Sequence, residues 1–338
     1  DPAIVATIER EAIDYRFFHW HLEFPQVFRV DHAAGADPAS GWSGGFTAML
    51  GNPPWERIKL QEQEFFAARD EAIAKAPSAA ARKRLIEALT TEQPALSAEF
   101  NRALRRADGE SHILRTCGRY PLTGRGDINT YSVFAETLRG SIDPEGQCGI
   151  ITPTGLATDA TTADFFSDTL RSGRLGGFTD FENRQPLFEG VDSRFRFAVT
   201  CMTGRDRVAE RVPLAFMLHD PSQALMARFE LSNEEILLLN PNTGTLPVFA
   251  SRKDAEITLK IYRRFPVLIK DGDPDGNPWG LKFTRMFDMS NDSHLFRTRE
   301  ELEAEGYVLQ GNVFVRPDSL SLSLSEEQAD TSRSTRPR

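Results

Sequence analysis

An α/β fold is predicted for this chain from three observations. Apolar runs of strand length alternate with helix-like stretches. Glycine and proline punctuate the boundaries between them. One run, Phe46 to Leu50, reads as a buried strand and passes through Gly51 straight into Asn52-Pro53-Pro54-Trp55.

The elements follow in order. Residues 3–18 place Ile4, Ile8, Ala12, Tyr15 and Phe18 at three- and four-residue spacing, which predicts an amphipathic helix. Phe17 to Phe28 is dense in aromatics and includes His19 and His21. Their i, i+2 spacing suits neither one helix face nor a zinc pattern, so the segment is read as packing and no metal site is expected. Residues 31–45 form a loop before the strand at 46–50. Residues 56–107 read as helical, with breaks near Pro77-Ser78 and Gln93-Pro94. Gly124-Arg125-Gly126-Asp127 follows no strand and lacks the third glycine of a dinucleotide fingerprint, so it is a loop.

Ile128 to Arg139 reads as a helix with Asp127 or Asn129 near its start. Pro144-Glu145-Gly146 is expected to turn, and Cys148 to Thr152 to form a short buried strand ending at Pro153. A helix over 160–172 precedes two strands, Leu175 to Phe181 and Phe195 to Thr203, joined by the loop Glu182 to Arg194. Residues 213–316 mix strand-like pieces, such as Gly306 to Val315, with a helix at 252–264 and Asn/Pro/Gly loops. From Ser319 the chain is Ser-rich and polar and is expected to be disordered. The domain reading is therefore 1–210 with a helical insert at 56–125, an α+β extension at 211–317, and a disordered tail at 318–338.

The 338 residues carry 40 Lys and Arg against 49 Asp and Glu, a net charge of −9. The chain as a whole is not a polycation, so contact with nucleic acid has to come from local patches. Arg102, Arg105, Arg106, Arg115, Arg119 and Arg125 stand against only Asp108 and Glu110, and with Arg194 they are the candidates for phosphate contact. The alternative is an ordinary solvated helix face. Cys117, Cys148 and Cys201 show no C-x-x-C spacing, which argues against a disulfide framework or zinc site and for a reducing cytoplasm. No run reaches the length of a membrane span, and the N-terminus lacks a signal-peptide layout. The chain opens on Asp1-Pro2 and enters a helix almost at once, like an interior piece of a longer protein or a trimmed one.

The tetrapeptide suits the capture of an exocyclic amino group. The Asn52 side-chain oxygen and the Pro53 carbonyl can both accept from one –NH2 group. Proline fixes its own φ and brings no competing N–H. Trp55 offers a flat face for a base to stack on. With both protons gripped, the nitrogen lone pair points away from the acceptors. Asn277-Pro278-Trp279 looks similar but lacks the second proline and sits in an Asp/Gly-rich loop, so it is read as a turn.

The order of these motifs resembles the S-adenosylmethionine-dependent amino-methyltransferases of DNA. The likeness is to the large adenine-specific methylases of restriction–modification and phage-defence systems, the type IIG-like enzymes. Phe46 to Trp55 is similar to the family's fourth strand and its Asn-Pro-Pro-aromatic end. Ile128-Asn129-Thr130-Tyr131-Ser132-Val133-Phe134 resembles the helix beside the cofactor's adenine, and Pro144 to Pro153 the next strand. Leu187-Phe188-Glu189-Gly190-Val191 followed by Phe195 to Thr203 occupies the place of the loop and strand bearing a second aromatic. The stretch Leu22-Glu23-Phe24-Pro25 resembles sequence upstream of the catalytic strand. The likeness covers residues 15–205 well and 240–316 more loosely.

The resemblance implies the later strands of a Rossmann-like methyltransferase sheet and transfer of a methyl group to N6 of a flipped adenine in double-stranded DNA. It implies S-adenosylmethionine as cofactor, with Phe134 facing its adenine and Tyr131 and Asp127 as further cofactor-side residues. It implies Asn52, Pro53, Pro54 and Trp55 as the catalytic motif, and Phe188 as the second stacking ring, with Phe195 or Phe197 as alternatives. The departure is upstream. Only 45 residues precede the strand, and no F-x-G-x-G-like cofactor loop occurs in the chain. The resemblance thus implies an acceptor-base part, with most of the donor pocket, a target-recognition domain after residue 316 and any nuclease lying elsewhere. Three alternatives stay open: a catalytically incomplete or DNA-binding subunit that needs a partner chain, an N4-cytosine enzyme, and a methyltransferase for an RNA base or a protein glutamine.

Overall fold

The computed structural model describes residues 1–30, 41–185, 187–288 and 291–316. The predicted disordered tail lies outside the described residues. Two compact units are present, Asp1–Gly276 and one beginning at Asn277.

The first unit opens with α1 (Pro2–Tyr15), which Asp1 caps by accepting from the Ala3 N–H while Pro2 takes the first turn. None of its residues is buried, and Ile4, Ile8 and Ile13 are each more than half exposed. The spacing therefore yields the helix, with no partner that buries its apolar face among the described residues. After α2 (Trp20–Glu23), the two-residue strands β1 (Phe28–Arg29) and β2 (Ser43–Gly44) pair with each other. Here the aromatic segment packs as expected. Phe24 and Phe28 each lie 5.2 Å from Phe46 by ring centroid, and Phe28 lies 5.3 Å from Trp42.

Phe46 opens β3 (Phe46–Gly51), which leads into the helical stretch α3 (Glu62–Ala67), α4 (Glu71–Ala74), α5 (Ala79–Glu92) and α6 (Pro94–Thr116). Both breaks fall where the sequence puts them. Ser78 caps α5 by accepting from the Ala81 N–H, and Pro94 begins α6, where its missing N–H leaves no bond unmade. Phe65, Phe66, Ile73, Leu89 and Phe100 give these helices a core of their own.

The chain then runs through α7 (Thr130–Gly140), β4 (Ile142–Pro153), α8 (Gly155–Thr158), α9 (Ala163–Arg171), β5 (Leu175–Glu182) and β6 (Arg196–Thr203). It continues with β7 (Arg211–Leu218), α10 (Ala224–Ala227), β8 (Phe229–Ser232), α11 (Asn233–Leu239) and α12 (Arg252–Arg264). The sheet has the order β3-β4-β6-β5-β7-β8. β3 is parallel to β4 and β5 to β7, while β6 runs against both β4 and β5, and β8 against β7. Four strands thus point one way and two the other, a mixed sheet in an α/β fold. Residues 211–232 contribute strands to this same sheet, so it spans both sides of residue 210, and the division into units falls after Gly276.

Alternation along the strands sorts the core. Ile150, Ala198 and Leu214 face the clusters under α7, α9, α11 and α12. Ile151, Phe197 and Ala215 face the other way, into a cluster that also takes in Trp55 and Phe188. Two expectations need correction. The loop expected over 31–45 contains β2, Ser43–Gly44, paired with β1. Pro144-Glu145-Gly146 does not turn the chain but lies within β4. The register against β3 jumps from Phe46↔Ile142 to Ala48↔Gln147, so the extra residues form a bulge. Pro144 and Gly146 carbonyls there accept from the N–H groups of Asp206 and Gly204, and proline's missing donor costs nothing.

In the second unit, Thr298 and Glu301 form a capping box for α13 (Arg299–Ala304). The antiparallel pair β9 (Val308–Gln310) and β10 (Val313–Val315) comes next, turning at Gly311 with φ +64°. Asn277-Pro278-Trp279 is a turn. The Asn277 carboxamide is engaged by Leu281, accepting from its N–H and donating to its carbonyl, both at 2.8 Å.

Candidate functional site

β3 stops at Gly51 and presents the tetrapeptide at the end of the sheet where β4, β5 and β7 also finish. Asn52 is exposed and Pro53 is buried. Among the described residues, neither the Asn52 carboxamide nor the Pro53 carbonyl has a hydrogen-bond partner. Two acceptors are therefore open on consecutive residues, unlike the self-satisfied amide of Asn277.

The residues just after these acceptors are fastened. The Thr130 hydroxyl donates to the Pro54 carbonyl at 2.7 Å and accepts from the Glu56 N–H at 3.0 Å. The Thr130 N–H donates to the Glu56 carbonyl and the Ile58 N–H to the Ile128 carbonyl. The motif loop is thus sewn onto the start of α7. Sequence reasoning passed over Thr130, whose signal is a hydroxyl in the first turn of the helix next to the motif.

Trp55 is half-buried and its indole N–H is buried without a partner among the described residues. Phe195 lies parallel to it, at 5.7 Å between centroids and an interplanar angle of 11°. Phe188 meets Trp55 edge-on at 6.2 Å and 72°, and meets Phe197 edge-on at 4.9 Å. In this arrangement Trp55 and Phe188 touch and leave no slot between them, while the exposed Phe195 covers a Trp55 face. Phe197 is buried and stacked on Phe181.

Behind these rings stands Asp180 of β5, fully buried. It accepts from the Thr154 hydroxyl at 2.5 Å, from the Met217 N–H at 3.0 Å, and from the Arg196 guanidinium. One carboxylate therefore ties together the ends of β4, β5 and β7 and the start of β6. It holds Met217 in a left-handed conformation, φ 56°, that a side chain of this kind rarely adopts.

On α7, Tyr131 is buried and Phe134 is 44% exposed, with Asp127 exposed just before the helix. Burial, reinforced by the Asp159 charge and partly offset by Arg57, pushes the Tyr131 phenol up to about 12, so it stays neutral. The arginines are spread out. Arg102 and Arg105 are exposed on α6. Arg106 pairs with Glu110 and stacks over Tyr15, and Arg119 lies over Trp42. Arg115 donates to the Gly126 carbonyl, and Arg125 pairs with Asp164. Arg194 grips Asp192 with two nitrogens and holds that carboxyl well below the usual range. Among the described residues no helix is long and apolar enough to cross a membrane.

No protein-family model matches the chain, and no curated protein does. Solved structures show some likeness. The methyltransferase subunit of a type I restriction-modification system from Streptococcus thermophilus is 12% identical with a TM-score of 0.27, over 69% of this chain and 34% of that one. The type IIG restriction endonuclease BpuSI is 19% identical with a TM-score of 0.28, over 39% and 17%. The ATP-dependent Type ISP restriction-modification enzyme LlaBIII, bound to DNA, is 12% identical with a TM-score of 0.26, over 51% and 10%. The chain thus spans from a tenth to about a third of these proteins. Likeness at such TM-scores is similarity only and assigns no activity.

Proposed function

We propose that the protein is an S-adenosylmethionine-dependent DNA methyltransferase acting on N6 of adenine, of the restriction–modification or phage-defence kind. The observation that carries the reading is the pair of open acceptors, the Asn52 carboxamide and the Pro53 carbonyl, beside the Trp55 ring. An exocyclic amino group has two hydrogens, and this pair accepts both. The nitrogen is then held with its lone pair turned away from the acceptors, toward a methyl group. Such positioning is the main contribution asked of Asn52 and Pro53. An adenine amino group is out of reach inside a duplex, so the base has to leave the stack and lie on Trp55.

S-adenosylmethionine, when bound, supplies the methyl group. The exposed Phe134 ring suits stacking on an adenine, and the exposed Asp127 carboxylate suits a sugar hydroxyl, with the buried Tyr131 as wall behind them. Arg102 and Arg105, exposed on α6, are the best placed of the arginines for phosphate contact.

The test is methyl transfer to double-stranded DNA by the full protein. Asn52→Ala is expected to lower turnover by about 100-fold or more while leaving DNA affinity largely intact. Near-normal turnover in that variant overturns the role given to Asn52. A second reading, a subunit that needs a partner chain, is favoured by one observation: β3 is an edge strand and Leu50 is 92% exposed. Submillimolar S-adenosylmethionine binding by the 338-residue chain alone argues against it, and no binding argues for it.

A further inference from the structure

Asn183 is the first residue after β5 and is fully buried. Its carboxamide uses its entire capacity on one loop. Nδ2 donates to the carbonyls of Phe188 and Val191, each at 3.0 Å, and Oδ1 accepts from the N–H groups of Leu187 and Phe188 at 3.0 and 3.1 Å. Its own N–H donates to the Phe195 carbonyl at 3.0 Å. Both backbone polar groups of Phe188 therefore end on one side chain. The Phe188 ring in turn stands edge-on to Trp55.

We propose that Asn183 is a positioning residue for base capture: by gripping the Phe188 backbone on both sides it sets where the Phe188 ring stands, edge-on to Trp55. The proposal rests on the function proposed above, in taking Trp55 as the surface on which a base is seated. No other side chain replaces this amide. Aspartate offers oxygens where the Phe188 and Val191 carbonyls need donors, serine is too short to reach both sides of Phe188, and glutamine adds a methylene at a fully buried position. A fully satisfied buried amide is stiff, and a wall displaced by about 1 Å is enough to cost about 100-fold in rate.

The experiment is a double-mutant cycle in the full protein, read by single-turnover transfer of tritiated methyl groups from S-adenosylmethionine to unmethylated duplex DNA. Asn183→Ala and Phe188→Ala are each expected to slow transfer by about 10- to 100-fold. DNA affinity should change by less than about threefold, because phosphate contacts dominate it. If Asn183 acts through Phe188, the double variant is no slower than the slower single one, within about twofold. Losses that multiply, or a wild-type rate in Asn183→Ala, overturn the proposal. A wild-type protein that transfers nothing, alone or with a partner chain added, removes the methyltransferase reading itself, and this one with it.

Should Asn183→Ala fail to fold, Asn183→Asp carries the test. It keeps both acceptor bonds but sets oxygen against two carbonyls, which favours the protonated carboxyl, and that form regains one donor. Its rate relative to wild type should rise as pH is lowered from about 8 to about 6. A flat ratio counts against the proposal.

Discussion

Replacing Asp180 by alanine should cost more stability than any other single polar change at the end of the sheet. The carboxylate is fully buried and accepts from three groups. Its removal strands two neutral donors, the Thr154 hydroxyl and the Met217 N–H, at about 1–3 kcal/mol each. The third partner differs, because the Arg196 side chain is 33% exposed and can turn part of its charge to water. The two donors together span about 2–6 kcal/mol, and within that span the loss is placed at about 3–5 kcal/mol, the range found when one partner of a buried pair is removed. At roughly 2–4 °C per kcal/mol for a unit of this size, the melting temperature falls by about 6–20 °C. Asp180→Asn keeps one acceptor but aims an NH2 group at existing donors, and should fall between alanine and wild type. Urea titration of the 338-residue chain followed by circular dichroism measures both. A loss under about 1 kcal/mol for Asp180→Ala refutes the reasoning, since the stranded donors alone exceed it.

Two further predictions concern the same sheet. Thr130→Val keeps the shape of the side chain but removes the bonds to Pro54 and Glu56. It should cost about 1–2 kcal/mol and slow methyl transfer about 10-fold, with Thr130→Ser restoring both; an unchanged rate in the valine variant shows that the tie to α7 does not matter. Thiol labelling of the native protein near pH 8 should find Cys117 fast and Cys148 inert, because Cys117 is exposed and burial pushes the Cys148 thiol up to about 12. Equal rates at the two sites contradict the burial of β4.

The sequence exposed the elements more fully than the contacts among them. β3, α7 and α12 were legible because each is bounded by strong local signals, such as Gly51 before Asn-Pro-Pro or Ser251 capping α12. Pro144 misled, since a bulge stabilised by Gly204 and Asp206 cannot be told locally from a turn. Asp180 was invisible for a related reason. In Thr179-Asp180-Phe181 it reads as the outward residue of an alternating strand, and its partners Thr154, Arg196 and Met217 come from three other segments. The candidate site divides the same way. That Asn52 and Pro53 carry acceptors was readable from residue types; that both are without partners among the described residues was not. The parallel stacking of Phe195 on Trp55, with Phe188 edge-on, depends on how Asn183 folds the loop between β5 and β6.

The edge position of β3 also sets how its motif moves. Asn52 follows a strand that, among the described residues, is hydrogen-bonded along one side only, and such margins open at low free-energy cost. From Pro54 to Ile58 the chain is pinned by Thr130, the first residue of α7, and by Ile128 just before it. The tetrapeptide therefore links an edge strand to an anchored loop, with a rigid proline pair as the joint. A shift of β3 along β4 would carry the Asn52 carboxamide, while the ties at Pro54 and Glu56 hold the chain beyond it.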